Sequence, residues 1–124
     1  MKKVCHFEIP VDDMARAKKF YAIFGWHMEE FPGMDYVGVR TTSVDEQQRP
    51  KEVGSINGGI MKRSKEAPAP VFAIEVPSID EYVKKAVAAG GKVVKPKWQI
   101  GEMGYYAYVK DTEGNVLGLW ESSI

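Results

Sequence analysis

A chain of 124 residues is enough for one ordinary domain with its own core, and 44% hydrophobic with 27% charged residues is typical of a soluble globular protein. Seventeen basic residues balance seventeen acidic ones, so no net field favours nucleic acid or an anionic membrane surface as partner. No apolar run approaches the roughly 18 residues of a membrane span, the start Met1-Lys2-Lys3-Val4 carries no apolar leader, and the single Cys5 cannot close an internal disulfide, which together predict a cytoplasmic protein.

Val4 to Val11 alternates, with Phe7, Ile9 and Val11 on one face and His6, Glu8 and Pro10 on the other, and so reads as a strand with one face on a core. Asp12 or Asp13 can cap a following helix, whose Met14, Ala17, Phe20, Tyr21 and Phe24 recur at helical spacing until Gly25 stops it. Three strand-like runs follow, Trp26–Phe31, Tyr36–Thr42 and Val53–Met61. They are separated by Pro32-Gly33 and by the polar stretch 43–52. After a Pro-containing linker of about residues 63–70, the same order returns. Val71–Val76 alternates, Ser78 with Glu81 forms a capping box, and Ile79, Tyr82, Val83 and Ala86 make an apolar helical stripe ended by Gly90-Gly91. Lys92–Ile100, Gly104–Lys110 and Val116–Glu121 then read as strands, the last two joined by the turn Asp111-Thr112-Glu113-Gly114-Asn115.

Sliding one half over the other exposes an internal repeat. Phe7 falls on Phe72, Ile9 on Ile74, Val11 on Val76, Met14 on Ile79 and Gly25 on Gly90. Nearer the module ends, Gly54 falls on Gly114 and Gly58 on Gly118. The expectation is an α+β domain of two tandem βαβββ modules, about residues 1–62 and 71–124. Phosphate-loop, dinucleotide-binding, CxxC and GxSxG motifs are absent from the chain.

Two segments carry a family resemblance. HFEIPVDDMARAKKFYAIFGW (His6–Trp26) resembles the opening of vicinal-oxygen-chelate proteins, the glyoxalase/bleomycin-resistance/dioxygenase type. GYYAYVKDTEGNVLGLWE (Gly104–Glu121) resembles their closing strands, with Thr112 in place of the usual proline. The resemblance implies sheets curled around a cleft, with helices outside. Phe7, Ile9, Val11, Phe72, Ile74, Val76, Leu117 and Leu119 would then form the helix-facing core, with His6, Glu8, Ile56, Gly58, Val71, Ala73, Val116, Gly118 and Trp120 along the cleft.

Metal-dependent relatives place His or Glu at four points, one on the first and one on the last strand of each module. Here those points fall on His6, Gly58, Val71 and Gly118, of which only His6 can ligate, so no metal or other cofactor is expected. Glycines at 58 and 118 would leave room; with Ala107 and Val109 packed under the helix, Tyr106, Tyr108 and Lys110 would face it beside Trp120, with Trp98 and Trp26 at the rims. Such walls suit a flat organic ligand, although the same rings could simply fill a core. His6 and Glu8 form one acid–base pair that could serve a general base, or could be satisfied by a backbone carbonyl and a lysine respectively. Cys5 lies on the helix side, where a buried inert thiol is expected, and His27 outside the pattern should face solvent. Two functions remain open: a metal-independent small-molecule binding protein, or a glyoxalase-related lyase or isomerase using His6 and Glu8 or an atypical metal. In either case the resemblance implies a homodimer.

Overall fold

The computed structural model describes residues 1–123. Its elements run β1 (Val4–Val11), α1 (Met14–Tyr21), β2 (His27–Glu30), β3 (Tyr36–Arg40), β4 (Gly58–Lys62), β5 (Val71–Glu75), α2 (Ile79–Ala88), β6 (Lys92–Ile100), β7 (Gly104–Lys110) and β8 (Val116–Ser122). This is the α+β class with the βαβββ order written twice. No helix among the described residues is long and apolar enough to cross a membrane.

The chain divides into two compact units, His6–Pro70 and the stretch from Val71 onward together with Met1–Cys5. The first five residues join the second unit through backbone pairing: the Glu75 amide donates to the Lys3 carbonyl at 3.0 Å.

In the first unit the strand order is β2-β3-β4-β1. Strands β1 and β4 are parallel, with Phe7 opposite Gly58 and Glu8 opposite Gly59. Strand β3 pairs antiparallel with β4, setting Tyr36 opposite Met61 and Gly38 opposite Gly59. Asp13 caps α1 by accepting from the Arg16 amide at 2.9 Å, and Gly25 leaves the following 3-10 turn (Ala22–Phe24) at φ 75°, a conformation that favours glycine. The core is Val11, Val37, Val39 and Ile60, against which Phe7, Ile9, Met14, Ala17, Tyr21, Trp26 and Met28 pack. Burial of a side chain such as Ile60, which is 0% exposed, contributes about 1.5–3 kcal/mol. Of the helical stripe expected from spacing, Met14, Ala17 and Tyr21 join that core, whereas Phe20 and Phe24 remain exposed. An eight-residue helix can turn only a narrow face onto the sheet.

Strand β4 starts at Gly58 rather than Val53 because Asn57 holds the chain in a loop. Its side-chain oxygen accepts from the amides of Thr41 at 2.8 Å and Thr42 at 3.2 Å. Between those anchors, Asp45 closes a turn by accepting from the Gln47 and Arg49 amides, and Val53 is fully exposed.

The second unit repeats the plan with order β5-β8-β7-β6. Parallel β5 and β8 set Ala73 opposite Gly118, and antiparallel β7 and β8 set Tyr108 opposite Gly118 and Tyr106 opposite Trp120. Ser78 caps α2 through the Glu81 amide at 3.2 Å, as the capping box predicts, and the Glu121 carboxylate accepts from the Ile79 amide at 2.7 Å. The core is Val76, Ile79, Ala107, Val109 and Leu119, with Ile74 and Leu117 packed against it. Phe72, expected in that core, is 47% exposed. The reason is positional, since α2 lies over β6, β7 and β8 and leaves the start of β5 uncovered.

Candidate functional site

Each unit turns one sheet face to its helix and bears its chemistry on the other. In the second unit alternation along β7 sends Ala107 and Val109 under α2 and Tyr106 and Tyr108 to the opposite face, as expected. Trp98 and Lys95 are three residues apart, which regular alternation would place on opposite faces. Register shifts between Val93 and Lys95 and between Lys95 and Trp98 bring both round, so that Lys95 stands opposite Tyr108 and Trp98 opposite Tyr106. Four rings thereby form one cluster. Trp98 lies 5.2 Å from Tyr106 and 5.5 Å from Tyr108, the two tyrosines are 5.3 Å apart edge to face, and Trp120 is 6.4 Å from Tyr106. These separations fall in the favourable range for aromatic pairs. Tyr106 and Tyr108 are buried, while Trp98 and Trp120 are half-buried. The Lys95 ammonium sits over the Trp98 ring, 4.0 Å from its centre.

The space expected above Gly118 is filled. The Tyr106 hydroxyl stands where a Cβ at 118 would project, and ring carbon Cε1 would be 2.8 Å from it. Gly118 thus faces away from α2, as expected, but serves as the seat of a tyrosine instead of an opening.

In the first unit the corresponding seat is Gly59, not Gly58. Glu8 and Ala73 correspond by the repeat (73 − 8 = 65), and their strand partners are Gly59 and Gly118 (118 − 59 = 59). The Tyr36 hydroxyl covers Gly59 just as Tyr106 covers Gly118, with Tyr36 Cε2 2.6 Å from the would-be Cβ. Gly58 faces α1, where a Cβ would stand 2.6 Å from Phe7 Cδ2. Its expected place on the open face is therefore corrected: two adjacent glycines carry no side-chain alternation, so pattern alone could not fix their facing. Ile56 lies in the loop before β4, its carbonyl accepting from the Thr41 hydroxyl at 2.8 Å. Trp26 is not at a rim. It stacks on Tyr21 at 5.6 Å and 4° and meets Phe7 at 5.9 Å, on the helix side.

His6 and Glu8 share the face with Tyr36. The Tyr36 hydroxyl and His6 Nε2 are 3.2 Å apart, an acceptable hydrogen bond. Burial pulls His6 from 6.5 to about 4, so the ring is neutral near pH 7. Burial, and secondarily the Glu8 carboxylate, push the Tyr36 phenol well above its usual range, so it keeps its proton. Glu8 is 6% exposed, the one charged side chain buried to that degree among the described residues. Cys5 is half-buried, with its thiol pushed up to about 11 by burial and by Glu75, the inert thiol expected. His27 is exposed.

A family-type metal does not fit this donor set. Among the described residues no three His, Cys, Asp or Glu side chains come together. Val71 offers hydrocarbon, and tyrosines cover both Gly59 and Gly118. Two open grooves lie elsewhere, and none of the expected ligand-binding residues lines either of them. One of about 580 Å³ is bordered by Met14, Phe31, Met34 and Tyr36, the other, of about 390 Å³, by Met1–Lys3, Glu75–Pro77 and Ser122. Sequence reasoning missed Tyr36, Gly59, Lys95 and Asn57. Pro96, beside Lys95, is a sequence mark of the irregularity in β6, although it does not say which way Lys95 turns.

The family described as bleomycin resistance protein-like N-terminal matches residues 3–42. CFP32 of Mycobacterium bovis, a candidate glyoxylase, is 28% identical over 119 residues, which is 94% of this chain and 44% of that protein, and CFP32 of Mycobacterium tuberculosis matches equally. The chain thus spans less than half the length of these relatives. A glyoxalase/bleomycin resistance protein/dioxygenase superfamily member from Vibrio splendidus superposes with a TM-score of 0.63 at 11% identity, over 98% of this chain and 99% of that one. Hypothetical protein BH1468 from Bacillus halodurans superposes with a TM-score of 0.64 at 16% identity, over 98% and 94%. At such identities the structural likeness establishes fold alone.

Proposed function

We propose that the chain is a member of the vicinal-oxygen-chelate superfamily of glyoxalases, bleomycin-resistance proteins and dioxygenases, a reading supported by the matches above, and that it is a small-molecule binding protein working without the superfamily's metal. Its ligand is flat and aromatic or amphipathic. The observation that carries this reading is the single cluster of Trp98, Tyr106, Tyr108 and Trp120 on one sheet face. Rings with polar tips supply apolar contact area together with hydrogen-bonding edges. The donor inventory supports the metal-free part, because a divalent transition metal needs about three suitable protein ligands and the faces offer His6 and Glu8. Native mass spectrometry of freshly purified protein tests it. The expected result is a mass increment of one small organic molecule that leaves unchanged on denaturation, with no metal increment. A stoichiometric divalent metal would contradict the proposal.

The alternative, catalysis of the glyoxalase-related kind, is favoured by one observation. His6, hydrogen-bonded to Tyr36, shares one sheet face with the buried carboxylate of Glu8, so groups able to take part in proton transfer stand together there. Turnover of a carbonyl substrate that disappears in His6→Ala would favour this second reading over binding. We further propose a homodimer. The exposed Phe20, Ile23 and Phe24 form an apolar surface that a second copy would cover.

A further inference from the structure

The ring-bearing face of the second unit sorts its charges. By strand pairing, Lys95 and Lys110 lie on it on the β6–β7 side, with Lys92 opposite Lys110. Glu75 lies opposite Trp120 on β5, three strand spacings or roughly 14 Å from β6. None of the ion pairs among the described residues includes Lys92, Lys95 or Lys110. Lys97, on the helix side of the same strand, behaves differently and is paired with Asp80 at 3.2 Å. One flank of the ring cluster therefore carries uncompensated positive charge.

Lys95 is also held in place. Its ammonium rests over Trp98 at 4.0 Å, an attraction that fixes the charge without neutralising it, since a ring quadrupole carries no net charge. The register shift that turns Lys95 onto this face lies in β6, whose Pro96 also removes a backbone donor. A fixed cation at the border of an apolar aromatic surface discriminates by sign. It adds Coulombic attraction for a ligand with an anionic edge and repels a cationic one, most strongly where water is partly excluded.

Resting on the binding reading above, we propose that Lys95 is the specificity-determining residue of the ring face, and that the ligand class is a planar aromatic molecule bearing a single carboxylate or equivalent anionic group. The carboxylate meets the Lys95 ammonium, and the ring system packs on Trp98 and its neighbours.

Calorimetric titration of the full chain with 2-naphthoate, its neutral counterpart 2-naphthamide, and 2-naphthylmethylammonium tests this. The expected order is naphthoate tightest, the amide about tenfold weaker, and the ammonium weaker still, with the carboxylate's advantage shrinking as salt rises. Lys95→Met should bring the naphthoate affinity down to that of the amide, and Lys95→Arg should keep the preference. Equal binding of naphthoate and naphthamide, or a preference that survives Lys95→Met, would overturn the inference while leaving the aromatic-binding reading intact. Failure of all three probes to bind would overturn that reading and this inference with it.

Discussion

The hydroxyl of Tyr106 lies over Gly118 on the neighbouring strand, in the position a side chain at 118 would need. The relation recurs between Tyr36 and Gly59 in the other repeat, so each module closes the same point of its sheet with a phenol. In both modules a glycine on the last strand, Gly59 or Gly118, thus lies under a phenol carried by the adjacent strand.

Substitution at the seat measures that relation. Gly118→Ala forces the Tyr106 ring aside and should cost about 1–3 kcal/mol of stability. In a Tyr106→Ala background the obstruction is gone, so the same substitution should cost clearly less. Urea unfolding of the four proteins in a double-mutant cycle gives the coupling. Equal costs in both backgrounds would mean that the glycine is not there for the tyrosine.

His6 should make stability depend on mild acid. The unfolded chain takes up the proton at about 6.5, whereas the folded protein resists until about 4. The contribution is therefore complete above pH 6.5, declines as pH falls through that window and is lost below about 4; at 1.36 kcal/mol per unit it amounts to about 3 kcal/mol. Asp111 and Glu30, whose carboxyls are lowered by hydrogen bonds from neighbouring groups, act at lower pH. Urea midpoints taken from pH 7.5 downward should fall more steeply in the wild type than in His6→Gln. Parallel profiles would show that His6 titrates as if exposed.

Asn57 is the anchor of the long β3–β4 connection. Replacing it by alanine strands the amides of Thr41 and Thr42, and half-buried donors without partners cost about 1–3 kcal/mol. Faster hydrogen exchange at Thr41 and Thr42 should accompany the loss. Unchanged protection at both amides would show that the loop is held otherwise.

Much of this was legible in the sequence. Strands β1, β6 and β7 have the bounds that alternation gives, and the Ser78 cap is where the capping box puts it. Alternation also aims Tyr106, Tyr108 and Trp120 at one face. Pattern failed where side chains are missing or the backbone is irregular. Gly58-Gly59 offers no alternation, so the facing was read one residue early, and the bulges that turn Lys95 toward Trp98 leave no mark in a period of two. The exposure of Phe72 was not legible, because strand pattern does not reveal how far a ten-residue helix reaches across the four strands of its unit.

Light scattering at micromolar concentration addresses the proposed dimer. The expected mass is twice the 13.9 kDa of the chain, and Phe24→Glu with Ile23→Glu should reduce it to one chain. A wild-type protein that scatters as a single chain contradicts the pairing.

The most direct test of metal-free aromatic binding is the affinity for 2-naphthamide, measured by calorimetry with excess EDTA in wild type, Trp98→Leu, Trp120→Leu and Trp26→Phe. Saturable binding in EDTA is expected, weakened about tenfold by loss of either ring of the cluster and unaffected at Trp26, whose ring belongs to the helix-side core of the other unit. Binding that EDTA abolishes, or that depends on Trp26 and not on Trp98 and Trp120, would contradict metal-free binding at the ring cluster.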